Sequence, residues 1–477
     1  MKRTQTSKRQ GDKLGFWSIV LLAINSIIGS GIFLTPGSVV SSVGSKALLV
    51  YFIAALFAAV LAISFAAAAK YVTHSGAAYA YAKAAFGENV GFYMGILRYF
   101  SASVAWGVMA VAVIKSTISI FGGDPNNFTS VTLGFIVLMI LISIVNLFGQ
   151  RAMKYIMNLA TIGKLAALGL VIVAGVILLI ATGGNHFSQV DHLQIAGKTI
   201  VPALTTSGFV MAVVSAFYAF TGFEAVASGS EDMDEPAKNL PRAIPLAILI
   251  IAAVYISVVA VAMTVAPKAL LETKQVVAIA AIFQQAWLRN LILVGALVSM
   301  FGINVASSFH TPRVLEAMAK AKQIPTSLTK RTKRDFPART FIITLILAIL
   351  VPMAFQYNTA NLIILSATVR FLGFILVPVG VIRFYFGKNV EPILKAQRHL
   401  GTDVIAPVLS VALTLFLLIK YDWQSEFGMM VGGKLVPNWF AIGALFFGFV
   451  ILPVVIFALT RRERKQAEAA LRDGVNH

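Results

Sequence analysis

Cysteine is absent from all 477 residues, which excludes a disulfide framework and any thiol chemistry. Charge is sparse: Asp, Glu, Lys and Arg together make 12% of the chain, and only 19 residues are acidic. Motifs with clustered nucleophiles, acids or bases at one depth are missing, with no HExxH pattern, so the sequence predicts no enzyme, no cofactor and no metal site. What remains is 58% hydrophobic with a mean hydropathy of +0.85. A soluble protein cannot bury that much apolar surface, and runs of bilayer-crossing length, about 20 residues, recur along the chain.

The sequence therefore predicts an all-α polytopic membrane protein. Spans are expected near 16–41, 46–69, 91–117, 131–148, 155–182, 204–229, 242–265, 289–318, 339–356, 359–382, 402–419 and 437–460, about twelve in all. A net charge of +20 would suit nucleic acid, but its distribution argues against that partner. Of the 39 Lys and Arg, 27 fall on the tails and on the loops that share their side. Only eight fall on the opposite loops and rims. This is the positive-inside bias; it predicts cytoplasmic tails at 1–15 and 461–477 and an orientation set against anionic lipid. The basic N-terminus followed by an apolar run resembles a signal peptide, yet cleavage there would discard the chain's most unusual stretch, so an uncleaved first span is expected. Short helices are expected in 266–288, and a re-entrant or interfacial helix in 70–90.

That unusual stretch is Ile27-Ile28-Gly29-Ser30-Gly31-Ile32-Phe33, a glycine-rich break flanked by apolar residues. Unwound backbone at membrane depth survives only where it lines a cavity or is buried in protein. A second interruption, Phe217-Tyr218-Ala219-Phe220-Thr221-Gly222-Phe223-Glu224, falls in the sixth segment. Two broken segments five apart are what two inverted five-helix repeats would give, and such breaks hold the substrate in secondary transporters.

The residues around these breaks resemble the amino acid–polyamine–organocation transporter superfamily over nearly the whole chain. Ile28-Gly29-Ser30-Gly31-Ile32-Phe33 resembles its first-helix signature. Gly222-Phe223-Glu224, with Glu231 to Pro236 and Asn239-Leu240-Pro241-Arg242, resembles its sixth helix and following loop. Ser75-Gly76-Ala77-Ala78-Tyr79 and Arg313 with Ile324-Pro325 resemble further family segments. The resemblance implies alternating access and ten core helices in two repeats, about 16–182 and 204–382, plus two helices in about 402–460, all forming one transporter domain.

An amino acid brings a carboxylate and an ammonium into the membrane, and both need partners. The N–H groups of Ser30, Gly31 and Ile32, at the positive end of a half-helix, are candidates for the carboxylate. The carbonyls of Ile27, Tyr218, Ala219 and Thr221 are candidates for the ammonium. The plain alternative is that the glycines only permit tight helix packing. Lys164 lies deep in the fifth segment; in several relatives a lysine here resembles a built-in cation in place of sodium. A buried lysine can lose and regain a proton during transport. Lys164 is thus expected to join the first helix to Ser307 or Ser308 on the eighth, or else to snorkel to the inner rim.

Glu224 is the acidic residue expected near the centre of a span, as a gate, a proton carrier or the partner of Arg98 or Lys164. Arg370, mid-way along the tenth segment, either reads a carboxylate side chain or pairs with Glu224. Arg98 is expected to snorkel. Trp106, Tyr218, Phe220 and Phe223 are candidate walls, with packing or a membrane belt as the alternative. His74, His186, His192, His310 and His477 show no metal spacing.

The expected function is a secondary-active, proton-coupled and sodium-independent amino acid permease for a neutral or acidic substrate. It would act in the plasma or inner membrane as a monomer or loose homodimer, with protons and the lipid bilayer as its other partners. An exchanger, including one for acidic amino acids or amines, is the alternative within the class, and a non-transporting sensor the alternative outside it.

Overall fold

The computed structural model describes residues 14–73, 76–148, 150–195, 197–227, 233–272, 277–332, 336–431 and 434–460. The basic residues of both tails, His74, Ser75 and the Glu231–Asp232 pair lie outside these. The first apolar segment is two helices, α1 (Phe16–Ile27) and α2 (Gly31–Val43). There follow α3 (Ala47–Tyr71), the short buried α4 (Ala78–Phe86), α5 (Glu88–Ile120), α6 (Phe128–Leu147) and α7 (Gln150–Thr182). The sixth apolar segment is also split, into α8 (Thr206–Tyr218) and α9 (Phe223–Ala227). Then come α10 (Pro236–Val265), the one-turn α11 (Pro267–Glu272), α12 (Ala286–Lys320), α13 (Ala338–Ala354) and α14 (Thr359–Tyr385). The last helices are α15 (Ala406–Lys420), α16 (Trp423–Glu426) and α17 (Trp439–Phe446), the last continuing through a wide π turn to Thr460.

Among the described residues, nine helices are long and apolar enough to cross a membrane. Three further apolar helices, α1, α8 and α13, are shorter. The first two are short because the chain breaks beside them. The helical class is as expected, with one addition. Two antiparallel hairpins occupy loops between helices: β1 (Gln194–Ile195) with β2 (Lys198–Thr199), and β3 (Gly428–Val431) with β4 (Lys434–Pro437). Strands of two to four residues carry too little alternation to be read from sequence.

Small residues set the helix spacing. In lipid, helices associate by close van der Waals packing rather than by hiding apolar surface from water. Ala66, Ala67, Ala68 and Ala69 on α3 are fully buried, and α3 lies along α10. Between α7 and α12, Ala160, Gly163 and Ala167 meet Gly302, Val298 and Gly295; a Cβ at Gly302 would overlap that of Ala160.

The segment 386–400 between α14 and α15 has almost no helix of its own and runs as a strap across the end of α3 and along α4. Its N–H groups at Val390 and Glu391 donate to the Ala84 carbonyl (2.9 and 3.2 Å), and that of Leu394 donates to Tyr71 (2.9 Å). The fully buried Asp403 anchors its far end, accepting from Lys70 Nζ and Tyr71 Oη at 2.6 Å each.

Candidate functional site

α1 closes when the Ile28 N–H donates to Ile24 O (2.9 Å), and helical bonding resumes where Phe33 and Leu34 donate to Ser30 O. Between these points the carbonyls at the end of α1 and the first N–H groups of α2 lack intrahelical partners. Lys164 supplies some of them. It is 4% exposed, and its ammonium donates to the carbonyls of Asn25 and Ile28 at 2.7 Å each. A positive charge thus sits at the negative end of the α1 dipole. One turn away on α7, the Thr161 hydroxyl donates to Asn25 Oδ1 (2.7 Å).

Two expectations for this lysine need correction. It does not snorkel, because its ammonium is buried on the Asn25 and Ile28 carbonyls. Nor, among the described residues, does it reach α12 through a serine. The Ser307 hydroxyl faces Met109 Sδ on α5 (3.5 Å). Ser308 donates to Val305 O (2.7 Å) and accepts from Asn146 on α6 (2.9 Å). Both serines sit on parts of α12 turned toward other helices.

The break between α8 and α9 is a tight turn. Thr221 donates to the Tyr218 carbonyl through both its N–H (3.2 Å) and its hydroxyl (2.8 Å), and Tyr255 on α10 donates to the Ala219 carbonyl (3.2 Å). Two carbonyls expected to await an ammonium therefore already carry bonds, as buried backbone groups generally do. Gly222 turns at φ +119°, and a side chain there would run into the Ser26 carbonyl of α1. A Cβ on Gly31 would lie 2.5 Å from Ala219 Cα. The two breaks thus pack directly on one another, each glycine admitting the backbone of the other break. Ser30 and Tyr218 are buried here with their hydroxyls side by side, and neither oxygen makes a bond of good geometry.

Beyond the break, Glu224 on α9 holds three elements together. It is buried, its Oε1 accepts from Arg370 on α14 (2.9 Å) and Arg98 on α5 (3.1 Å), and its Oε2 accepts from the Gly222 N–H (2.9 Å). Arg370 also donates through Nε to Ser101 Oγ (3.2 Å). Arg98 therefore turns inward instead of snorkelling, because a buried carboxylate is within reach. The two arginines and one glutamate keep one net positive charge around a cavity of about 20 Å³, room for about one water.

The aromatics divide. Phe223 joins Phe65 and Phe374 in a buried cluster, Phe220 lies against Tyr255 at 5.1 Å between ring centres, and Trp106 packs by Phe341, away from the breaks. His310 lies on the outer side of α12, edge-on to Phe309. Asn25, Thr161, Ser101 and Tyr255 were not foreseen. Asn25, a polar residue one turn before a break, and Thr161, three residues before Lys164 on the same helix face, carried a readable signal. Tyr255 carried none.

Known proteins match nearly the whole chain. Residues 14–458 match the family model described as amino acid permease. An uncharacterized transporter of Mycobacterium tuberculosis is 37% identical over 93% of this chain and 94% of its own length. A branched-chain amino acid permease of Bacillus subtilis is 27% identical over 93% and 94%, respectively. A serine/threonine exchanger of the same organism is 27% identical over 66% and 69%.

Proposed function

Because the chain belongs to the amino acid permease family, we propose that it is a secondary-active carrier that binds a neutral amino acid at its two packed breaks and moves it by alternating access. Lys164 on the α1 carbonyls is the observation that carries the reading. The chain places its own cation where a half-helix ends, so transport runs on protons and needs no sodium. The α2 N-terminus, through Ser30, Gly31 and Ile32, receives the substrate carboxylate once the breaks part. Ile27, Ala219, Phe220 and Thr221 line the ammonium side.

A neutral substrate follows from the commitment of both arginines to Glu224, which leaves neither free to read an acidic side chain. The names of the Bacillus relatives, for branched-chain amino acids and for serine and threonine, point the same way.

The working architecture is twelve spans with both termini in the cytoplasm, two inverted repeats at about 16–182 and 204–382, and two more helices in about 402–460. Paired contacts support it. α1 on α10 mirrors α8 on α3, α7 on α12 mirrors α14 on α5, and α5 on α13 mirrors α12 on α6.

The test is uptake of labelled leucine, serine, glutamate and lysine into proteoliposomes with an imposed proton gradient, with sodium, or with amino acids preloaded inside. Gradient-driven uptake of leucine or serine without sodium is expected. Uptake only after preloading would make the protein an exchanger, and uptake of none would favour a sensor.

A further inference from the structure

A cavity of about 510 Å³ lies at the end of α5 remote from Glu224. Its Lys115 is 17 residues from Arg98 along α5, about 26 Å at helical rise. The volume is in the range of small-molecule sites, about 300–1,000 Å³. The lining holds no Asp or Glu. It does hold Lys115, Gln356 and the asparagines Asn126, Asn358, Asn361 and Asn438. Asn358 and Asn438 use their side-chain oxygens to cap the Asn361 and Ala441 N–H groups (3.2 Å each) and keep their amide donors, while Gln356, Asn126 and Asn361 offer both donors and an acceptor. The Lys115 ammonium has no ion pair within 4.0 Å among the described residues. The neighbouring Asp124 turns its Oδ1 to the Asn126 N–H instead (2.9 Å).

Two helix ends of opposite polarity form one wall. α13 ends at Ala354 and α14 begins at Thr359; the Val351, Pro352 and Met353 carbonyls accept from the corner's own N–H groups and Asn358 caps the Asn361 N–H, so the Ala354 carbonyl and the Thr359 N–H are the helix-end groups left beside the cavity. The corner between them is held in a costly shape. Gln356 and Tyr357 both take left-handed backbone, at φ +50° and +57°, which bulky residues avoid. Tyr357 is held there by a 2.8 Å hydroxyl bond with Thr132 and by stacking on Phe135. Backbone strain of this kind persists where surrounding contacts over-determine it, often at ligand clamps.

We propose that this cavity is a second amino acid site, separate from the paired breaks. Lys115 and the amide donors at the start of α14 take the carboxylate of the zwitterion. The Ala354 carbonyl and the amide oxygens of Gln356, Asn126 and Asn361 take its ammonium. The inference rests on the permease reading, since it assigns the same class of ligand. The site captures substrate from one face of the membrane and raises its local concentration ahead of the central site.

The test counts ligands. Purified full-length protein in a neutral detergent is equilibrated with a labelled mixture of the twenty common L-amino acids. The wild type binds two equivalents per chain. Lys115→Met and Asn361→Ala each bind one, and Lys115→Arg keeps two. The remaining equivalent shows that the variants are folded. In proteoliposomes, Lys115→Met keeps the maximal uptake rate and raises KM. One equivalent in both wild type and Lys115→Met overturns the second site and leaves the permease reading standing. No binding and no uptake by the wild type overturns both. Phosphatidylglycerol retained by the wild type but lost from Lys115→Met in native mass spectrometry, with one amino acid on each, assigns the cavity to a lipid headgroup and overturns the proposal.

Discussion

Lys164 spends its charge on two backbone carbonyls, so its removal acts on α1 directly. Lys164→Ala leaves the Asn25 and Ile28 carbonyls without that partner, at about 1–3 kcal/mol for each group left buried and unpaired. Proteoliposome uptake is expected to fall at least about tenfold, the effect of about 1.4 kcal/mol, and to lose its pH dependence. A variant whose uptake still follows the proton gradient would remove Lys164 from coupling. Glu224 sits in the reverse situation, one anion between two cations. Glu224→Gln strands one nearly buried and one partly buried guanidinium group and is expected to destabilise the protein by about 3 kcal/mol. Adding Arg370→Met to it is expected to restore part of that loss in detergent thermal unfolding. If Arg370→Met alone selectively removes glutamate uptake, the arginine reads substrate after all.

Among the elements, α2 and α8 matter for how closely they approach. Gly31→Leu drives a side chain into Ala219 and is expected to abolish uptake, with overpacking costing about 1–3 kcal/mol. Normal transport by this variant would show that the breaks do not need to pack to work. The strap 386–400 depends on Asp403, and Asp403→Asn is expected to lower the unfolding temperature while leaving KM unchanged. The breaks themselves were legible, because glycine beside a polar residue interrupts an apolar run that otherwise reads as one helix. The short cap α11 and buried α4 were also legible, as weakly polar stretches between spans. The partners of the buried charges were not. Arg98 and Arg370 lie 126 and 146 residues from Glu224, and no local pattern reports which side chains a fold will bring together over such separations. For the same reason Tyr255, an aromatic in an apolar run, gave no hint that its hydroxyl caps the Ala219 carbonyl.

At the scale of the whole molecule, the missing cysteines become useful. Single cysteines can be introduced into a chain that has none, and their labelling by a membrane-impermeant thiol reagent reports sidedness. Lys198→Cys, on β2, is expected to label in intact cells, and Lys388→Cys, on the strap, only after permeabilisation. The opposite pattern would invert the orientation. A chain this poor in acid can still hold arginines at membrane depth because a single glutamate serves two of them.

The three members of that cluster are also made in a fixed order. Arg98 leaves the ribosome first, Glu224 follows 126 residues later, and Arg370 comes after a further 146. At ordinary synthesis rates each interval lasts on the order of ten seconds. During the first, the Arg98 guanidinium lacks the counter-charge that it has in the finished cluster. Arrival of Glu224 gives a neutral pair, and arrival of Arg370 completes the arrangement. The cluster therefore closes only once about three quarters of the chain has been translated.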